Sequence, residues 1–166
     1  MTGSTLHKEL LFRTPRKLDL LLDLFAAFTE AYEWQPQAWS FFPNHYHFVA
    51  ISPSGSGETL AQLIRDFHSA ASRQLNTMDG TPGRRVLYEY WDTQLTTRGS
   101  YFARLRYVHE NPVHHGVVLR AENYRWCSAG WFANHATSSM QRLLRNVRTD
   151  RVSMYDDFPS MRRSSC

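Results

Sequence analysis

The stretch Phe41-Phe42-Pro43-Asn44-His45-Tyr46-His47-Phe48-Val49 constrains this chain more than any other. It is short, apolar and aromatic, the pattern of a buried strand, yet it carries two histidines. Side chains alternate faces along a strand, so His45 and His47 share one face and Tyr46 and Phe48 the other. One face can pack a core while the other presents two imidazoles, and two imidazoles on one face can bind a metal. A lone His-x-His pair is also compatible with surface or hydrogen-bonded core histidines.

The rest of the chain supplies elements around that strand. Leu6 to Phe12 reads as a first strand. Thr14-Pro15 is a helix start, with Thr at the N-cap and Pro at the first helical position. Leu18, Leu21, Leu22, Phe25, Phe28 and Tyr32 form the apolar stripe of that helix, and Pro36 marks its end. A second strand follows from Gln37 to Phe42, and Pro43-Asn44 turns the chain into the strand with His45 and His47. Ser52 to Gly57 is a Ser/Gly/Pro break in which Ser56 is a candidate cap. Leu60, Leu63, Ile64, Phe67, Ala71 and Leu75 give the next helix its buried stripe. Thr77 to Arg85 reads as a loop, Val86 to Trp91 as a fourth strand and Thr97 to Glu110 as a third helix. Pro112 disfavours helical geometry at Asn111, which places Asn111 at a frayed helix end. Tyr124 to Phe132 is aromatic and expected to pack back on the domain, and Met140 to Val147 fits a short helix.

The order β-α-β-β-α-β-α, without internal repeat, predicts an α+β fold. A ferredoxin-like four-stranded antiparallel sheet with helices packed on one face is the simplest solution. With 166 residues the expected organisation is a single domain over 1–135 and a basic, partly mobile C-terminal extension over 136–166. Two cysteines, Cys127 and Cys166, make no disulfide framework. No secretory signal is evident and no apolar run approaches a membrane span, so the expected location is the cytoplasm. The net charge is +4, and Lys8 and Lys17 are the only lysines. Arginine's planar fork suits phosphates and guanine edges, a weak pointer to nucleic acid.

The third helix carries the second half of a possible site. Tyr107 and Asn111 are four residues apart and share a helical face with Arg104 and Val108. If that face meets the histidine strand, one pocket holds two imidazoles, an amide oxygen and a phenol. A divalent ion bound to a phosphate oxygen makes phosphorus more electrophilic. Attack by a tyrosine on a phosphodiester then conserves the bond energy in a phosphotyrosine ester, which is cut-and-rejoin chemistry. The competing reading makes Tyr107 a packing residue and Asn111 a helix terminator before proline.

Pro43-Asn44-His45-Tyr46-His47 resembles the His-hydrophobic-His (HUH) motif of single-tyrosine DNA transposases. Tyr107-Val108-His109-Glu110-Asn111-Pro112-Val113 followed by Gly116-Val117-Val118 resembles the signature of the REP-associated tyrosine transposases. Tyr90-Trp91-Asp92 and Tyr124-Arg125-Trp126-Cys127-Ser128 agree with it. The resemblance covers Leu6 to Phe132. It implies the HUH-endonuclease form of the ferredoxin-like sheet, with His45, His47 and Asn111 as ligands of Mg²⁺ or Mn²⁺. It implies Tyr107 as the nucleophile that takes the 5′ phosphate of cleaved single-stranded DNA. The implied partner is a hairpin-forming repeat, the implied state a monomer, and the implied setting the bacterial nucleoid. Two imidazoles suit transition metals better than Mg²⁺, so activity with Mn²⁺ is expected. The sequence departs from the family in the aromatic Tyr46 between the histidines and in its Leu6 to Phe12 opening.

Arg104 and Arg106 flank Tyr107 and are candidate phosphate contacts, as are Arg84 and Arg85 before the fourth strand. Arg142 and Arg145, with Arg148, line one helical face that can grip DNA. Tyr101 is a rival nucleophile. His109 falls on a different helical face from Tyr107, whereas His114 and His115 are candidates for proton transfer. Two other function classes fit less well: a domesticated hairpin-binding protein without cleavage, and a ferredoxin-like RNA-binding domain, whose strands should expose stacking aromatics.

Overall fold

A computed structural model describes residues 1–53 and 55–149. Four strands, β1 (Thr2–Thr5), β2 (Gln35–Phe41), β3 (His45–Ile51) and β4 (Leu87–Trp91), form one antiparallel sheet in the order β2-β3-β1-β4. Helices α1 (Pro15–Ala31) and α2 (Leu60–Asp79) cover one face, and α3 (Arg98–His114) lies against β2 and β3 on the other. Two short helices follow, α4 (Ala129–His135) and α5 (Ser138–Asn146). This is the ferredoxin-like order expected from the sequence, with α3 added on the second face. No helix among the described residues is long and apolar enough to cross a membrane.

The sheet divides two cores by strand alternation. Phe41, Tyr46 and Phe48 face α1 and α2, where they meet Leu18, Leu21, Phe25, Leu63, Ile64 and Phe67. Each such side chain contributes about 1.5–3 kcal/mol when fully buried. Ala38 and Val49 face α3 and pack on Phe102, Leu105 and Val108. The imidazoles of His45 and His47, on the Val49 side of β3, are therefore directed at α3.

Helix ends follow local chemistry. Thr14 and Pro15 start α1, and Thr97 starts α3 with a capping box to Ser100. Gly80, at φ 65°, ends α2 in the left-handed region that glycine enters without strain. The cap of α2 is Thr59 rather than Ser56, and the helix runs to Asp79, into the expected loop. Pro36 lies within β2, an edge strand whose register shifts between Pro36 and Ala38, where a missing N–H is tolerated.

Two expectations are corrected. The first strand is Thr2–Thr5, not Leu6 to Phe12. His7 and Lys8 adopt positive φ in a 3₁₀ turn, and Phe12 reaches the core from a loop whose N–H bonds the Pro43 carbonyl. Thr2 and Ser4 pair with His47 and His45, so the inward side chains on the imidazole face are polar, and Gly3 lies under Tyr46 on the other. A Cβ at Gly3 would fall 2.5 Å from the Tyr46 ring, which makes glycine the residue that admits a large aromatic between the two histidines.

The second concerns α3, which continues through Pro112 to His114 and buries Asn111 completely. A proline at this position leaves the Val108 carbonyl without its helical N–H. The Cys127 thiol lies 3.8 Å from the carbonyls of both Val108 and His109 and can donate to them. Tyr124 to Ser128 is held in turn against the edge of β2: Phe41 N–H donates to Trp126 O at 3.0 Å, Ser128 N–H to Trp39 O at 2.9 Å, and Tyr124 Oη to Phe41 O at 2.8 Å.

Candidate active site

His45 and His47 are both buried, on one face of β3 as their spacing predicts. His45 Nδ1 lies 2.7 Å from Asn44 Oδ1, and Asn44 Nδ2 donates to Lys8 O, which fixes the amide orientation. Since a carbonyl oxygen only accepts, His45 carries its hydrogen on Nδ1 and a lone pair on Nε2. Thr2 Oγ1 lies 2.8 Å from His47 Nδ1. Such partners on the far nitrogen orient ligating histidines. Phe42 stacks on His45 at 4.6 Å and is itself stacked on Tyr124, so the ring is clamped from behind.

Helix α3 brings up the other half. Tyr107 packs edge-on to His47 with ring centroids 5.8 Å apart. Asn111 follows one turn later and His115, the C-cap residue, one turn after that. His115 Nε2 lies 3.2 Å from His45 Nε2, and ligand atoms of His45, His47 and His115 all fall within 4.8 Å of one another. These three buried histidines can hold a metal ion. Burial, then the neighbouring His47 and His115, keep His45 far below the usual imidazole range. Burial first, then His47 and His114, lowers His115 to about 4. Neutral imidazoles are the form that binds metals.

Among the described residues, neither Tyr107 Oη nor either amide atom of Asn111 has a hydrogen-bond partner, although all three are buried. A buried polar group left in that state costs about 1–3 kcal/mol, and such groups mark places where a protein meets something else. Asn111 sits one turn from Tyr107, which touches His47, and one turn from His115, which touches His45. Its amide thus flanks the imidazoles, and the donor set fits a divalent cation.

The remaining candidates are placed as follows. Arg104 is half-buried beside a cavity of about 410 Å³ also lined by Trp34, Tyr101, Asp92 and Gln94, and burial lowers its pKa. Arg106 is held within the chain: Nε bonds Glu110 at 2.7 Å, and Nη1 donates to the carbonyls of Arg145 and Val147 at 2.6 Å. Arg84 bonds Asp79 at 2.7 Å and Asn76 at 3.1 Å, whereas Arg85 is exposed over the Tyr88 ring. Arg142 and Arg145 project from α5, whose Leu144 is buried against α3. Tyr101 donates to Gln37 at 2.9 Å, away from the histidines. His109 faces Ser128 at 3.0 Å, and His114 is exposed, its ring 6.2 Å from Tyr107. Sequence reasoning gave His115 a proton-transfer role and missed it as a member of the histidine cluster. Its spacing of four from Asn111 and eight from Tyr107 was the available signal, hidden by ending the helix at Glu110 ahead of Pro112.

No family model matches the chain, nor does any curated protein. Among solved structures, that of a REP-associated tyrosine transposase bound to a REP hairpin superimposes with a TM-score of 0.62, at 16% identity, over 81% of this chain and 77% of that one. The likeness is one of fold over most of both chains: this chain has the fold of a REP-associated tyrosine transposase.

Proposed function

We propose that the protein nicks and rejoins single-stranded DNA at hairpin-forming repeats through a covalent tyrosyl intermediate. The observation that carries this reading is the alignment of Tyr107 and Asn111 along α3 against His45 and His47, with the phenol and amide buried and lacking partners among the described residues. The fold it shares with a transposase bound to a REP hairpin supports the substrate class.

In this reading His45, His47 and Asn111 hold Mg²⁺ or Mn²⁺. Bound there, a divalent cation would supply Lewis-acid polarisation of a phosphate oxygen and charge stabilisation in the transition state. Asn44 and Thr2 keep the imidazoles oriented. The Tyr107 oxygen bonds to phosphorus, the bond to the 3′ oxygen breaks, and that oxygen takes a proton. The 5′ phosphate stays on the tyrosine until another strand's 3′ hydroxyl reverses the step. Packing against His47 limits where the phenol can point, which favours attack in one geometry. Arg104, Arg85, Arg142 and Arg145 contact the DNA backbone, with Arg84 and Arg106 second to them because their guanidinium groups already serve the fold. Residues 1–135 act as one catalytic domain on which α5 packs, residues 150–166 of the expected basic extension lie outside the described residues, and the protein works as a monomer in the cytoplasm.

A denaturing gel tests the proposal. Labelled single-stranded repeat hairpins, protein and Mg²⁺ or Mn²⁺ should give an adduct that survives denaturation, and Tyr107→Phe should abolish it while retaining DNA binding. Tight binding with no adduct under either metal would leave a hairpin-binding protein without cleavage.

A further inference from the structure

His115 is the one buried group of the site that the nicking reading leaves without a role. Its backbone N–H bonds the Asn111 carbonyl at 2.9 Å, so the two residues move as a unit at the end of α3. Its ring meets Phe42 edge-on at 5.0 Å and His45 at 4.7 Å, and it is 5% exposed. Two nitrogens that share one cation at about 2.0–2.1 Å lie about 2.9–3.4 Å apart, for octahedral and tetrahedral angles respectively. The 3.2 Å between His45 Nε2 and His115 Nε2, a hydrogen bond between the rings when no metal is bound, falls in that interval. The neighbouring His114 points to solvent and His109 to Ser128, so position, not histidine content, singles out His115.

Resting on the metal-centre reading above, we propose that His115 is a further metal ligand. It gives this chain a centre of three imidazoles and the Asn111 amide that takes a transition-metal dication in preference to Mg²⁺. Mg²⁺ favours oxygen ligands and retains its waters, whereas imidazole suits the later first-row dications. A third imidazole shifts the site further toward that class than His45 and His47 alone. Asn111 contributes the single oxygen donor.

The test titrates the metal-free full chain with Co²⁺ alone, without DNA, and reads visible absorption and calorimetry. The wild type should bind with a visible spectrum, and Mg²⁺ in about 100-fold excess should not displace the Co²⁺. His115→Ala should weaken Co²⁺ binding by about 100-fold or more, at least what removal of an outer-shell partner costs, and alter the spectrum. His114→Ala should change neither. Unchanged affinity and spectrum in His115→Ala, or displacement by Mg²⁺, would overturn the proposal. Should His115→Ala not fold, imidazole nitrogen shifts of the wild type with Zn²⁺ decide: three ligating rings are expected, and two would refute it. Failure of the underlying reading looks different. His45→Ala would then retain Co²⁺ affinity, or Tyr107→Phe would still form the DNA adduct, whatever His115 does.

Discussion

At the scale of single residues, the site is shaped as much by what fits around the histidines as by the histidines themselves. Tyr46 stands between them in sequence but faces the other core, with its hydroxyl 2.6 Å from His68. That ring occupies the space above Gly3. Gly3→Ala places a methyl group 2.5 Å from the Tyr46 ring, which is fully buried and bonded and so cannot swing aside. Overpacking of this kind typically costs about 1–3 kcal/mol. The expected result is a lower thermal midpoint and, because Gly3 and Tyr46 are register partners beside Ser4 and His45, weaker metal binding. An unchanged melting curve for the Gly3→Ala variant would show that β1 can shift away without cost. Asn111 was legible at this scale from its spacing to Tyr107. Thr2 and Asn44 were not, because polar residues beside a histidine carry no periodic signal.

At the scale of elements, α3 is the piece that has to be right. Its nucleophile candidate, amide and third histidine recur every fourth residue, so one helix sets their relative positions. The helix is buried on two sides, by the sheet and by α5 with its flanking residues. Arg106 bridges to α5 through the Arg145 and Val147 carbonyls, charge-assisted bonds of about 1.5–3 kcal/mol in protected settings and less here because the side chain is partly exposed. Arg106→Ala should therefore speed proteolysis and hydrogen exchange of residues 138–146 with little effect on the sheet. Equal protection of α5 in variant and wild type would sink that assignment. Sequence periodicity located α1, α2, β2, β3 and β4 because their apolar faces repeat. It missed β1 because that strand's inward residues are threonine, glycine and serine, chosen for the imidazoles on one side and a tyrosine on the other. It stopped α3 early because the Cys127 thiol that supports the Val108 carbonyl past Pro112 comes from a distant segment.

At the scale of the whole molecule, buried neutral histidines couple folding to pH. Burial lowers both His68 and His109 to about 4 from the usual 6.5. Between those values the unfolded chain binds more protons than the folded one, so stability rises with pH. This contribution is fully present above about pH 6.5 and is lost as pH falls toward about 4, on the order of 2–3 kcal/mol for each group. The lowered carboxylates Asp66 and Asp79 act only below the usual 3.8, whereas the buried His45, His115 and Met1 amine, all lowered by burial first, add to the loss in the same direction. In metal-free protein the urea midpoint should fall steadily from about pH 7 to about pH 4. A flat profile would mean that these rings reach solvent.

His45 and His115 meet across 70 residues of chain. During synthesis the first two histidines leave the ribosome long before α3 exists, and no shorter fragment can bring the three rings together. A cluster assembled this way stays incomplete in nascent and truncated chains, and forms only when the whole sheet and its second-face helix have closed.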